Sequence, residues 1–249
     1  MNAIQAFDNK ITELDNALRV GTSFDIIKKE IMLGCGARAV FYYIDGFVNH
    51  AVLSNIMVHL MGNRPSVADC IYNIPFADVE HERETSKLAL AVLSGATVLL
   101  ADGIDEAAII DSRGYPMRSI EEPDHDKVLR GARDGFTETL LQNTALIRRH
   151  IRDPRLTIKL IRVGRITATD VALCYIDGAA DPEFVQSLER QITEINVDAL
   201  TMAHETLAEQ LAPKKWYNPF PKVRYTERPD AAAAMLEEGS VIVLCDTSP

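Results

Sequence analysis

Tyr43-Ile44-Asp45-Gly46 recurs as Tyr175-Ile176-Asp177-Gly178, each time between an apolar run and a segment of helical pattern. A strand ending in Asp-Gly puts a carboxylate and a backbone without Cβ at the strand's carboxyl end, where α/β sheets hold their ligands. Asp45, Gly46, Asp177 and Gly178 are therefore candidates for contact with a small ligand or Mg²⁺. The same residues also suit a structural role, each Asp capping the next helix or fixing the turn while Gly takes a positive φ. A second concentration of charge is Arg130, Arg133, Arg148, Arg149, Arg152 and Arg155, opposed in sequence by Glu121, Glu122, Asp124 and Asp126. Guanidinium groups grip carboxylate or phosphate bidentately, and they also form ion pairs that lock a linker to a helix. Of this group, Arg130, Arg133, Glu121 and Glu122 are the ligand candidates.

Catalytic patterns are missing from the sequence. There is no G-x-S-x-G and no H-E-x-x-H, and the six histidines are scattered. "GARDG" lacks the spacing of a phosphate-binding loop. "VLCDTSP" has the outline of a phosphatase nucleophile strand, but the second aspartate of that pattern is absent. Cys35, Cys70, Cys174 and Cys245 stand far apart without metal-ligand spacing, so they are expected as reduced core thiols. The expectation is a chain that is not an enzyme and uses no metal or cofactor.

Composition narrows the class further. At 249 residues and 47% hydrophobic, the chain can fill one large core or two smaller ones, and two domains is the expectation. A net charge of −10 argues against nucleic-acid binding. The longest uncharged apolar run, Leu88 to Ala101, is 14 residues, short of the roughly 20 that cross a bilayer. The charged amino terminus does not read as a secretory signal.

Periodicity supplies the elements that would position these groups. Ile4, Phe7, Ile11, Leu14 and Leu18 predict an amphipathic helix over 4–19. "FDIIKKEIMLG" and "ARAVFYYIDG" predict two strands joined at Gly34-Cys35-Gly36, followed by a helix over "FVNHAVLSNIMVHLMG". Another helix is expected from about Val79 into "LALAVLSG", ended by Gly95, with "ATVLLA" as a buried strand. The second half repeats the order. "RLTIKLIRVG" and "TDVALCYIDG" meet at Gly164-Arg165, and "DPEFVQSLERQI" follows with Asp181 as N-cap and Pro182 at the first helical position. "RPDAAAAMLEEGSVIVLCD" then gives helix, Gly239 and strand. Arg118 to Asp134 reads as a polar linker, Phe136 to Ile151 as a helix, and "KKWYNPFPKVRYTERPD" as an extended surface loop.

Gly34 matches Gly164 at an offset of 130, Asp45 matches Asp177 at 132, and Gly95 matches Gly239 at 144. Offsets that grow only where loops lengthen are the mark of a duplicated domain. The expected fold is α/β, with two similar lobes of mixed sheets and flanking helices arising from an internal duplication, joined by a linker and helix, with a cleft between them. The boundaries are 1–20 for the amino-terminal helix, 21–118 for the first lobe, 119–155 for linker and connecting helix, and 156–249 for the second lobe.

Two long runs carry a resemblance. Ser112 to Val185, which begins "SRGYPMRSIEEPDHDKVLRGARDG", and Asn218 to Pro249, which ends "VIVLCDTSP", resemble the amino-terminal domain of the GerA family of bacterial spore germination proteins. Within that family, Val20 to Met57 is more similar to the sporulation branch than to the germinant receptor A subunits. The resemblance implies a chain that continues into membrane spans after the "DTSP" segment, and a domain on the core side of the inner spore membrane. It further implies a role in germinant sensing or in the ion release that follows. Other spore germination membrane proteins and further copies of the chain would be its partners, and a small molecule such as an amino acid would be its ligand.

Overall fold

A computed structural model describes residues 3–114, 134–198, 203–211 and 223–248. They fall into two compact units, one drawn from Met1–Pro116 with Arg152–Pro154 and the other from Met117–Ile151 with Arg155–Pro249.

The first unit comprises α1 (Ala3–Leu18), β1 (Ile26–Met32), β2 (Arg38–Ile44), α2 (His50–Met61), α3 (Val67–Tyr72), β3 (Val79–Glu82), α4 (Thr85–Leu93), β4 (Thr97–Ala101) and β5 (Ala107–Ile110). Its strands form one sheet in the order β1-β2-β4-β5-β3. The central strand β2 is apolar almost throughout because both of its faces are covered. Ala39, Phe41 and Tyr43 join a core with Leu53, Ile56 and Leu60 of α2 and Cys70 and Ile71 of α3. The alternate residues Val40, Tyr42 and Ile44 point the other way, where α4 packs on β2 and α1 packs on α4. Tyr42 donates its hydroxyl to Asp15 of α1 at 2.8 Å, and burial, followed by that bond, pushes its pKa far above the ordinary phenol value.

The second unit comprises α5 (Leu140–His150), β6 (Leu156–Val163), β7 (Thr169–Ile176), α6 (Pro182–Glu194), α7 (Ala203–Leu211), α8 (Pro229–Glu237) and β8 (Ile242–Cys245), with its sheet in the order β6-β7-β8. Val171, Leu173 and Tyr175 of β7 share a core with Val185 and Ile192 of α6 and Leu207 of α7. α5 and α8 pack on β7 and on each other.

Two local expectations change, and two short elements are new. The sheets are not mixed: every ladder among the described residues is antiparallel. Helix periodicity also does not reach back to Val79. Residues 79–82 alternate as a strand paired with Ile110–Ala107, and the helix starts at Thr85. Finally, α3 and β5 are six and four residues long, too short to register a period.

Two ladders share the offsets noted in the sequence. Ala39↔Ala101 through Tyr42↔Val98 in the first unit correspond to Val171↔Cys245 through Cys174↔Ile242 in the second, at offsets of 132 and 144. Thr85–Leu93 and Pro229–Glu237 are likewise separated by 144 at both ends. Gly34 and Gly164, by contrast, are glycine for different reasons. Gly164 adopts φ 94, whereas Gly34 abuts Gly62, whose carbonyl oxygen would lie 1.6 Å from any Cβ at position 34.

Candidate functional site

The two Asp-Gly corners are built alike. Gly46 and Gly178 have φ 86 and 85. The preceding aspartates donate their backbone N–H to the carbonyls of Asp25 at 2.8 Å and Arg155 at 3.0 Å. Neither aspartate caps the helix that follows. Asn49 caps α2, its side chain accepting from the N–H groups of Ala51 and Val52. Asp181 caps α6 by accepting from Glu183. Asp45 Oδ1 instead accepts from Gly46 N at 3.2 Å and lies 3.4 Å from His50 Nε2, which fixes the turn itself. Antiparallel strands also lack the row of aligned carboxyl ends on which the α/β ligand argument rests. Arg130, Arg133, Glu121 and Glu122 lie outside the described residues.

Of the other arginines, Arg148 is fully buried on α5 and donates from Nη2 to the carbonyl of Leu156 at 2.9 Å. The aspartate of "VLCDTSP" also has a structural task. Asp246 Oδ1 accepts from Leu140 N at 3.0 Å, at the start of α5, where Thr139 makes no side-chain cap bond.

A concave site does exist in the second unit, in a place the motifs do not mark. It is a pocket of about 870 Å³ between α6, α7, residues 223–227 and β8, within the roughly 300–1,000 Å³ of ordinary ligand pockets. Five consecutive residues, Val241 to Cys245, line it. Successive strand side chains alternate in direction, so the pocket follows the edge of β8 and not one face. Phe184 of α6 and Tyr225 border it and are themselves 54% and 59% exposed, whereas Leu207, Leu244 and Cys245 of its lining are buried. His204 of α7 stands edge-on to Tyr225, ring centroids 5.7 Å apart, and its Nδ1 meets the Ser248 hydroxyl. Burial pushes the Cys245 thiol up to about 11, so it stays protonated and apolar at neutral pH. The described lining offers an apolar floor, the charged Arg224 and Glu227, and a strand edge. Sequence reading had one signal for it, the aromatic, basic stretch that contains Tyr225.

At the start of α8, near this pocket, the Arg228 guanidinium 3.0 Å from Asp230 holds the aspartate's carboxyl below its usual range. A depressed carboxylate adds stability above its unfolded value, about 3.9, and loses it as pH falls through the folded value. Asp230→Asn is therefore expected to lower the urea midpoint at pH 7, and the gap from the parent should close below pH 4.

Comparison with known proteins places these features. The family description "Bacillus/Clostridium GerA spore germination protein" matches residues 13–249. The chain is 43% identical over 248 residues to Stage V sporulation protein AF of Bacillus subtilis, covering 94% of this chain and 48% of that protein. It is 32% identical over 239 residues to Spore germination protein KA of the same organism, covering 92% and 44%. The crystal structure of the N-terminal domain of the A subunit of the Bacillus megaterium spore germinant receptor GerK3 superposes with a TM-score of 0.70 at 26% identity, covering 96% of this chain and 90% of that one. The chain thus spans about half the length of the curated relatives it matches. It belongs to the GerA family of spore germination proteins.

Proposed function

We propose that the chain is a non-enzymatic regulatory part of a spore germination membrane protein, in which the second-unit pocket takes up a ligand or partner and couples that event to ion release across the inner spore membrane. The observation that carries this reading is the pocket beside β8, in a chain whose relatives are named for sporulation and spore germination. Under it, the membrane-spanning part lies in the half of the relatives that this chain does not cover. The two units face the spore core, and the partners are other spore germination membrane proteins and further copies of the chain. The same reading keeps Arg130, Arg133, Glu121 and Glu122 as ligand contacts. The units themselves are read as products of an internal duplication, supported by the residue-for-residue recurrence of the β2–β4 ladder in β7–β8.

A second reading, assembly alone, is favoured by apolar side chains left in water, among them Val58 at 72% and Ile166 at 78% exposed. Titrating amino acids and sugars to millimolar concentration while following backbone amide NMR signals separates the two. Ligand uptake is expected to shift residues around Phe184, Tyr225 and Val243. An unmoved spectrum, together with concentration-dependent association, would replace sensing with assembly.

A further inference from the structure

In the first unit β4 has a strand on each side, β2 and β5. Its counterpart β8 has β7 on one side, and among the described residues no strand lies along the other. The hydrogen-bonding phase of the two strands is the same. Asp102 donates to the carbonyl of Arg38 at 2.8 Å, and Asp246 to the carbonyl of Asp170 at 2.9 Å. In an antiparallel ladder the N–H and C=O of one residue point to the same side and alternate along the strand. Asp102, Leu100 and Val98 therefore face β2, which leaves Leu99 and Thr97 to face β5, where they stand opposite Ala108 and Ile110. By the same count Asp246, Leu244 and Ile242 face β7, while Val241, Val243 and Cys245 turn their backbone groups outward, along the pocket. Among the described residues no backbone hydrogen bond from another segment reaches those three. Outward groups of one strand recur every second residue, at roughly 7 Å, a spacing that another strand matches.

We propose that the slot beside β8 is a peptide-binding site, which takes an extended segment of a partner protein antiparallel to β8 as a fourth strand. This rests on the reading of the two units as copies, and it names the class of partner for the pocket already described. The chemistry of the segment follows from what fills the same position in the first unit. There β5 is Ala-Ala-Ile-Ile, with Ala107, Ala108 and Ile110 fully buried. It is entered from Asp105 and Glu106, with Glu106 held by Arg83 Nη2 at 2.8 Å. At the rim of the slot the exposed charge is that of Arg224, while Glu227 is half-buried, so an acidic flank is the one the rim attracts. The occupant is a short run of small and branched apolar residues preceded by one or two carboxylates. Exposed edges of this kind are otherwise a hazard that proteins cover.

The probe is a blocked peptide with the sequence of residues 104–111, Ile-Asp-Glu-Ala-Ala-Ile-Ile-Asp, added to the 249-residue chain. Its binding is expected to move the amide signals of Val241, Val243 and Cys245 and to slow their hydrogen exchange. A peptide with proline at the position of Ala108, which lacks the N–H facing Leu99 in the template ladder, is expected not to bind. Arg224→Glu, an exposed change that leaves the fold intact, is expected to weaken binding several-fold, more at low salt than at high. No shift at millimolar peptide overturns the proposal, and equal binding of the proline peptide does so too, because it shows apolar adhesion without strand pairing. Self-association through the same amides without peptide overturns it in favour of a second copy. If amino acids or sugars shift the pocket and the peptide does not, the strand proposal fails while the ligand reading stands.

Discussion

Replacing Arg148 with alanine lowers the stability of the second unit by about 2–5 kcal/mol, the range for truncating a large buried side chain. The side chain is fully buried and donates to the carbonyl of Leu156, the first residue of β6. Truncation leaves that carbonyl without its charged donor and opens a cavity in the space of a long side chain. Arg148→Lys should recover little of the loss, since a single ammonium does not reproduce the planar fork. Urea midpoints of the three proteins decide the matter. Near-equal midpoints would mean that Arg148 is held for a ligand and not for the fold.

The second large effect is expected at the turn between β1 and β2. A Cβ at position 34 would sit 1.6 Å from the carbonyl oxygen of Gly62 and 2.6 Å from its carbon, both main-chain atoms that cannot rotate aside. Gly34 N also donates to Leu60 O at 2.9 Å, so the turn and the end of α2 must part together. Gly34→Ala is expected to cost about 3 kcal/mol, the upper end for overpacking. Gly36→Ala supplies the control, because Gly36 has φ 87 and nothing within 4 Å of its Cβ position. Its cost comes from backbone conformation alone, about 1 kcal/mol. Thermal melts that show equal losses for the two would rule out the close approach as the cause.

Legibility in the sequence followed the length of the pattern. The seven residues of β2 announced themselves as a strand through an apolar run that both covered faces demand, and α6 was legible through Asp181 and Pro182 at its start. β3 was lost inside a helix expectation because Val-Glu-His-Glu alternates over only four residues before the helical run begins. The chemistry was harder to read than the fold. Asp45 looked like a cap, but Asn49, four residues on, is closer to the helix start. Arg148 looked like part of a cluster that grips an anion or pairs with the linker, and only the packing of α5 reveals that it is internal. The pocket left almost no trace, since it is assembled from α6, α7, the 223–227 segment and the rim of β8. No local spacing encodes a concavity of that kind.

The last residues of the second unit also have a mechanical meaning. Asp246 is bonded to Asp170 through its N–H and to Leu140 through its carboxylate, Thr247 N donates to Glu138 O, and Ser248 meets His204. Within three residues the chain is fastened to the sheet, to the first turn of α5 and to α7, with no slack between the fastenings. A tug at Ser248 along the strand direction loads these bonds in shear and all together, where peeling would break them one at a time. A displacement too small to unfold β8 is therefore passed on whole, and its first recipient is a helix start 106 positions earlier in the chain.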